Sequence, residues 1–385
     1  MEKIGVLGAG AMGSGIAQVA ATAGHEVIIY DTYRLAMDSA RAGHKKIINR
    51  LVEKGKFSEA KGKGILERIR YRESLHDFKD CSMIIEAVKE DLAIKKDVFE
   101  KLEKIASNEC ILGSNTSSLS IASVAAACSN PERVLGVHFF NPAPLMPLVE
   151  IIPAIQSKPE LVAKAKAMVD SWGKVTVLAK DTPGFIVNRV ARPFYGESLR
   201  IYEEGMADCP TIDWALKEIG GFKMGPFELM DFIGNDINYT VTETVFKSFF
   251  FDPRYKPAFT QKRMHEAGLL GRKTGKGYYN YEPEAVAPEP NMDDALGNQI
   301  VDRVVSMLIN EAADALFWQI ASIEDLETAM TKGVNYPKGL LKWADEIGIH
   351  KCVEAMDKLY NEYREDRYRC SPLLRRMSKS GDTFF

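Results

Sequence analysis

Seven short, mostly apolar runs punctuate the first half of the chain: Lys3–Leu7, Glu26–Tyr30, Met83–Glu86, Ile111–Ser114, Val134–His138, Leu148–Ile152 and Lys174–Leu178. Their length and continuous hydrophobicity predict strands buried on both faces. Stretches with helical spacing separate most of them, so the pattern predicts a largely parallel sheet with helices on both sides. Between Arg34 and Arg70 the pattern turns polar and rich in Lys, Glu and Gly, which predicts a helical pair projecting from this domain. After Pro183-Gly184, a turn signal, the alternation stops and the chain reads as mostly helical. Residues 283–293, proline-rich and acidic, read as an extended linker.

The helical half repeats itself. At an offset of 114 residues Arg189 falls on Arg303, Glu197 on Glu311, Ala215 on Ala329, Gly225 on Gly339, Asp231 on Asp345, and Ile233-Gly234 on Ile347-Gly348. One deletion later, Arg254-Tyr255 falls on Arg367-Tyr368 and Met264 on Met377. A shared offset over such a span argues for a duplicated helical domain whose copies bury apolar faces against each other. The expected organisation is a doubly wound α/β domain over 1–182 with its insertion at about 34–70, a helical domain over 183–282, the linker, and a second helical copy over 294–385.

Composition narrows the function. A hydrophobic content of 46% with 27% charged residues is ordinary for a globular protein. The net charge of −3 gives no reason to expect a nucleic-acid or anionic-membrane partner, and no apolar run approaches the roughly 18 residues needed to cross a bilayer. Six scattered cysteines without a C-x-x-C read as reduced thiols, so neither a disulfide framework nor a metal site is expected. The first strand begins almost at the first residue, which leaves no room for a leader and favours a cytoplasmic location.

The chemistry concentrates at two places. Gly8, Gly10 and Gly13 form a G-x-G-x-x-G directly after the first strand, with a helix expected over Ser14 to Ala23 and Asp31 closing the second strand. Gly8 permits the tight turn, Gly10 lets the backbone approach a pyrophosphate, and Gly13 lets helix and sheet pack closely. Asp31 can accept both ribose hydroxyls and repels a 2′-phosphate, which favours NAD over NADP, although Arg34 lies nearby. The second place is His138 at a strand end, followed by a loop with prolines at 142, 144 and 147, and by Glu150 in the next apolar run. Histidine is the natural general base near neutral pH, and a buried carboxylate needs a partner. Pairing with Glu150 would fix the imidazole tautomer. Ser117, after the strand Ile111–Ser114, reads as a ligand-facing hydroxyl or a helix N-cap; Asn188, in an apolar helix face, reads as a ligand contact or a backbone-bonded amide.

Taken together, these motifs resemble the 3-hydroxyacyl-CoA dehydrogenases. The resemblance covers nearly the whole chain, through Gly8–Gly13 with Asp31, Ile85–Glu90, Ser114–Ser118, His138–Glu150, Pro183–Arg189 and Gly271–Tyr279. It implies NAD-dependent, reversible oxidation of a 3-hydroxyacyl-CoA, with His138 as base, Glu150 orienting it, and Ser117 and Asn188 on the substrate's reacting oxygens. It further implies Met12, Val88, Glu90, Lys95, Asn141 and Lys273 around the cofactor, and Lys54 and Lys56 near the CoA phosphates. Simple members of the family pair their helical domains across a dimer. A duplicated chain can satisfy that contact internally, which leaves both a monomer and a homo-oligomer open. The second copy lacks the catalytic pattern, with Asp302 where the first has Asn188, so one active site per chain is expected. Two rivals stand beside this reading: a sugar-acid dehydrogenase acting on L-gulonate, and a non-catalytic NAD-binding protein of the crystallin type.

Overall fold

The computed structural model describes residues 2–385, which divide into two compact units at Thr182/Pro183. The first unit is built on eight strands: β1 Lys3–Leu7, β2 Glu26–Tyr30, β3 Ile69–Tyr71, β4 Met83–Glu86, β5 Ile111–Ser114, β6 Val134–Phe139, β7 Leu148–Pro153 and β8 Val175–Leu178. They form one sheet in the order β3-β2-β1-β4-β5-β6-β7-β8, parallel throughout except where β7 runs antiparallel to β6. Nearly every residue of the central strands is buried, as expected of a sheet covered on both faces.

Helices α1 Ala11–Thr22, α2 Arg34–Glu53, α3 Glu59–Arg68, α4 Leu92–Ile105, α5 Ile121–Ala125 and α6 Pro159–Ser171 complete the unit. Two features differ from the sequence expectation. Helix α1 begins at Ala11 rather than Ser14, so Gly13 sits inside its first turn. Strand β3 carries no apolar run to announce it, since Arg70 stands in its middle; it is held by register pairing of Val27 with Ile69 and Ile29 with Tyr71 at the sheet edge. The polar insertion folds as the pair α2–α3. Ser58 accepts from the Lys61 amide to cap α3.

The second unit is all helical. Its elements are α7 Val187–Val190, α8 Arg192–Glu203, α9 Cys209–Trp214, α10 Pro226–Ile233, α11 Asn235–Ser248, α12 Phe259–Glu266, α13 Asp294–Phe317, α14 Ile323–Thr328, α15 Leu340–Ile347, α16 Ile349–Tyr363 and α17 Pro372–Ser380. Positions related by the 114-residue offset behave alike. Single π-helical turns occupy Ala215–Ile219 and Ala329–Gly333. The breaks between α10 and α11, and between α15 and α16, fall at Gly234 (φ 106°) and Gly348 (φ 98°), where a side chain would be strained. Asp213 accepts from the amides of Phe227 and Glu228 to cap α10, and Glu327, at the same offset, accepts from Leu341 and Lys342 to cap α15.

The ion pairs at the centre of this unit are exchanged. Arg189 Nε donates to Glu311 Oε1 at 2.9 Å, while Arg303 Nε donates to Glu197 Oε1 at 2.6 Å. Arg254 and the Tyr255 hydroxyl join Glu311; Arg367 and the Tyr368 hydroxyl join Glu197. Both glutamates are fully buried. All six cysteines are buried and free, and among the described residues no helix is long and apolar enough to cross a membrane.

Candidate active site

The glycine turn opens at the end of β1. Gly8 has φ 107°, and a Cβ there would stand 2.5 Å from the Ala87 carbonyl; a Cβ on Gly13 would stand 1.9 Å from the Gly8 carbonyl. Gly10 has open space on its Cβ side, and as N-cap of α1 it brings no side chain to satisfy the helix's first amides. Such a cradle suits a pyrophosphate. Asp31 accepts from the Ala9 amide at 2.7 Å and the Tyr33 amide at 2.8 Å, which pins its carboxylate beside the turn. A carboxylate has about four lone-pair sites, so two remain for ribose hydroxyls. Met12, half-buried on α1, borders the same turn. The donor set fits NAD.

Beyond β4 a buried charge network sets the next loop. Glu86, fully buried, accepts from the Val88 amide (2.7 Å), Lys95 Nζ (2.6 Å) and the Ser114 hydroxyl (2.7 Å). Lys95, itself buried, reaches Glu90 at 3.3 Å. Glu90 in turn accepts from the Thr116 hydroxyl (2.5 Å), the Ser117 amide (3.0 Å) and the Ser118 hydroxyl (3.1 Å). Burial, the largest influence, pushes the Glu90 carboxyl up, but Lys95 and these donors together hold it below its ordinary range. Ser117 is not a helix cap; Ser120 caps α5 instead, accepting from Ser123. Lys95 is therefore committed to two carboxylates.

His138 and Glu150 face each other in register on the antiparallel β6–β7 pair. His138 Nδ1 stands 2.7 Å from Glu150 Oε2; the carboxylate is fully buried and the imidazole 5% exposed. A carboxylate only accepts, so Nδ1 carries the hydrogen, and in the neutral imidazole the lone pair falls on Nε2. The Phe140 ring packs 4.6 Å from the imidazole. Two residues outside the sequence-derived set hold this corner. Asn115 Oδ1 accepts from the Phe139 amide at 2.8 Å, tying the loop after β5 to β6. Lys174 Nζ donates to the carbonyls of Ala143 and Met146, bracketing the proline loop, and burial lowers its pKa.

The model for the 3-hydroxyacyl-CoA dehydrogenase NAD-binding domain matches residues 3–182, and that for the C-terminal domain matches 184–281 and again 299–383. The chain is a member of the 3-hydroxyacyl-CoA dehydrogenase family. Its cofactor is NAD. The Escherichia coli K12 protein named 3-hydroxyadipyl-CoA dehydrogenase is 35% identical over 97% of both chains. A crystal structure of 3-hydroxybutyryl-CoA dehydrogenase from the same organism superposes with a TM-score of 0.94, at 34% identity over 99% of both chains. A probable 3-hydroxybutyryl-CoA dehydrogenase of Deinococcus radiodurans is 39% identical; its whole length covers 72% of this chain.

Lys54 and Lys56 stand exposed in the turn between α2 and α3. A cleft of about 980 Å³ in the first unit runs from Gly10 and Ser14, past Ile47 and Leu51 of α2, to Asn141 and Pro144 of the proline loop. Asn188 and Lys273 belong to the second unit. Asn188 is half-buried on α7, and Lys273 is ion-paired to Asp236 at 2.5 and 2.6 Å. Glu86 is the residue that sequence reasoning passed over most clearly. Its signal, an acid closing an apolar run, is the one that singled out Glu150.

Proposed function

We propose that this dehydrogenase interconverts (S)-3-hydroxyacyl-CoA and 3-ketoacyl-CoA, with His138 as general base and acid. The buried His138–Glu150 pair carries the reading, because it offers a lone-pair nitrogen whose protonated form is already charge-balanced. In the oxidative direction His138 Nε2 takes the proton of the 3-hydroxyl while the C3–H bond breaks. NAD, when bound, accepts that hydride. Glu150 stabilises the resulting imidazolium without itself becoming protonated. Ser117 and Asn188 hold the substrate's oxygens, and Glu90, ordered by Glu86 and Lys95, holds the Ser117 loop. Asn141, Met12, Val88, Glu90, Lys95 and Lys273 belong on the cofactor side in this reading, and Lys54 and Lys56 at the CoA phosphates.

The helical unit is read as two copies, 183–282 and 294–385, joined by the 283–293 linker and paired within one chain. The exchanged ion pairs and the double family match support this. The name of the Escherichia coli relative adds one candidate substrate, a 3-hydroxyacyl group ending in a second carboxylate. The test is loss of NADH absorbance with acetoacetyl-CoA, beside L-gulonate with NAD. Rapid acetoacetyl-CoA reduction with NADH and little with NADPH is expected; gulonate oxidation alone would overturn the reading.

A further inference from the structure

Asn115 sits where the parallel strands β4, β5 and β6 end. Its amide donates to the Glu86 carbonyl at the end of β4 (2.8 Å), and its side chain accepts from the Phe139 amide at the end of β6 (2.8 Å). Register pairing between β5 and β6 stops at Ser114 with Gly136, so the side chain carries the contact past the last paired residues. Doubly wound sheets bind their ligands outside these carboxyl ends.

The bond to Phe139 also fixes which way the carboxamide faces. A backbone N–H only donates, so the atom turned to Phe139 is Oδ1, and the other end is the Nδ2 donor. Phe139 directly follows His138, and Asn115 stands two residues before Ser117. The carboxamide therefore lies in the corner that joins these two. Its neighbours on the loop are turned inward: the Ser114 hydroxyl donates to Glu86, and the Thr116 and Ser118 hydroxyls and the Ser117 amide donate to Glu90. The Ser118 and Leu119 amides donate to Thr116 Oγ1. Asn115 is half-buried, and its Nδ2 donates to no group among the described residues.

We propose that Asn115 Nδ2 donates to the substrate's C3 oxygen as charge develops there, which makes Asn115 a catalytic residue beside His138 and Ser117. The inference rests on the proposed reaction and adds a residue to it. In the reductive direction hydride adds to C3, the carbonyl π pair moves onto the oxygen, and His138 supplies the proton. Asn115 lends a hydrogen bond and transfers nothing. A ketone oxygen offers two lone pairs and an alkoxide three. With His138 and Ser117 on the first two, the third becomes available only as the alkoxide forms. The Asn115 bond is then stronger in the transition state than in the ground state, so it acts on kcat rather than KM.

The test is acetoacetyl-CoA reduction by NADH on the full chain carrying N115A or N115D. N115A loses both the tie to Phe139 and the donor; N115D keeps an acceptor for the tie, loses the donor and gains a charge. The lost donor is the one defect the two share. Both are expected to lower kcat by ~10²- to 10³-fold, with KM and NADH affinity little changed. Thermal melting shows whether each is folded. A fall in N115A alone assigns Asn115 to structure, and a fall in N115D alone assigns the effect to its new charge; either overturns the inference, as does parental kcat in both. Should N115A not fold, N115D decides: lowered kcat at unchanged KM supports the donor, and raised KM at unchanged kcat overturns it. An unmodified chain that turns over neither acetoacetyl-CoA nor any 3-hydroxyacyl-CoA overturns the underlying reaction instead.

Discussion

At the scale of single residues, the site is governed by which charges are paired and which are not. Glu150 is fully buried and has His138 as its partner, which is the ground for proposing that the two act as one acid–base unit. A positioned base contributes ~10²- to 10⁴-fold, so H138A is expected to lower kcat by that range while NAD affinity changes little. E150Q keeps the shape but can present its amide to the ring and lose the tautomer, and is expected to cost much of the same factor. The double variant should be scarcely slower than H138A alone, because residues acting as a unit are not additive. Steady-state kinetics with NADH binding followed by fluorescence decides this; near-full turnover by H138A would sink the mechanism. Glu86 offers a second test. E86Q removes one of two carboxylates sharing Lys95, and is expected to loosen the Ser117 loop and raise KM.

At the scale of elements, helix caps make stability depend on pH. Asp213 caps α10 with two backbone bonds and accepts from the Tyr279 hydroxyl at 2.7 Å. Burial, the largest influence, overrides these donors and raises its carboxyl to about 7. Glu327, its counterpart on α15, is also raised by burial. For a carboxyl whose folded pKa is raised, the folded state binds more protons than the unfolded one between the two values. Stability is therefore fully present below about 4 and declines as pH climbs to about 7. Urea midpoints measured across that window should fall for the parent, and the slope should flatten in D213N; a parent with no slope refutes the assignment. The same caps show what could be read in advance. Gly225 and Gly339 were visible as a repeat pair, whereas Asp213 and Glu327 differ in type and escaped notice, although they perform one job. The strands of the first unit were legible because buried parallel strands are continuous apolar runs. Strand β3 was not, because three residues with Arg70 between them leave no run, and only register pairing with β2 makes them a strand.

At the scale of the whole molecule, the duplication decides how the helical unit holds together. Glu311 serves Arg189, Arg254 and the Tyr255 hydroxyl, all from the other half of the unit. E311Q would leave two arginines buried with one fewer charge to oppose them, and removal of one partner from a buried pair costs ~3–5 kcal/mol. Urea unfolding should show that loss, and E197Q should show a similar one from the reciprocal side. The exchange also predicts what a shortened chain does. A chain ending at residue 290 keeps Arg189, Arg254 and Tyr255 but loses Glu311. In a symmetric pair of such chains, Glu197 of each occupies the place that Glu311 held for the other, because the two glutamates are offset equivalents. The ion pairs can then re-form between chains, and the apolar faces are covered again. The replacement is imperfect: Asp314, which also holds Arg189 and Arg254, corresponds to Arg200, so two acceptor oxygens become a third cation. The truncated chain is therefore expected to sediment as a dimer that dissociates on dilution, and R200D, which returns the lost carboxylate, to tighten it. A stably folded monomer at all concentrations would show that the exchanged pairs are dispensable and that the internal pairing is not what holds the first copy together.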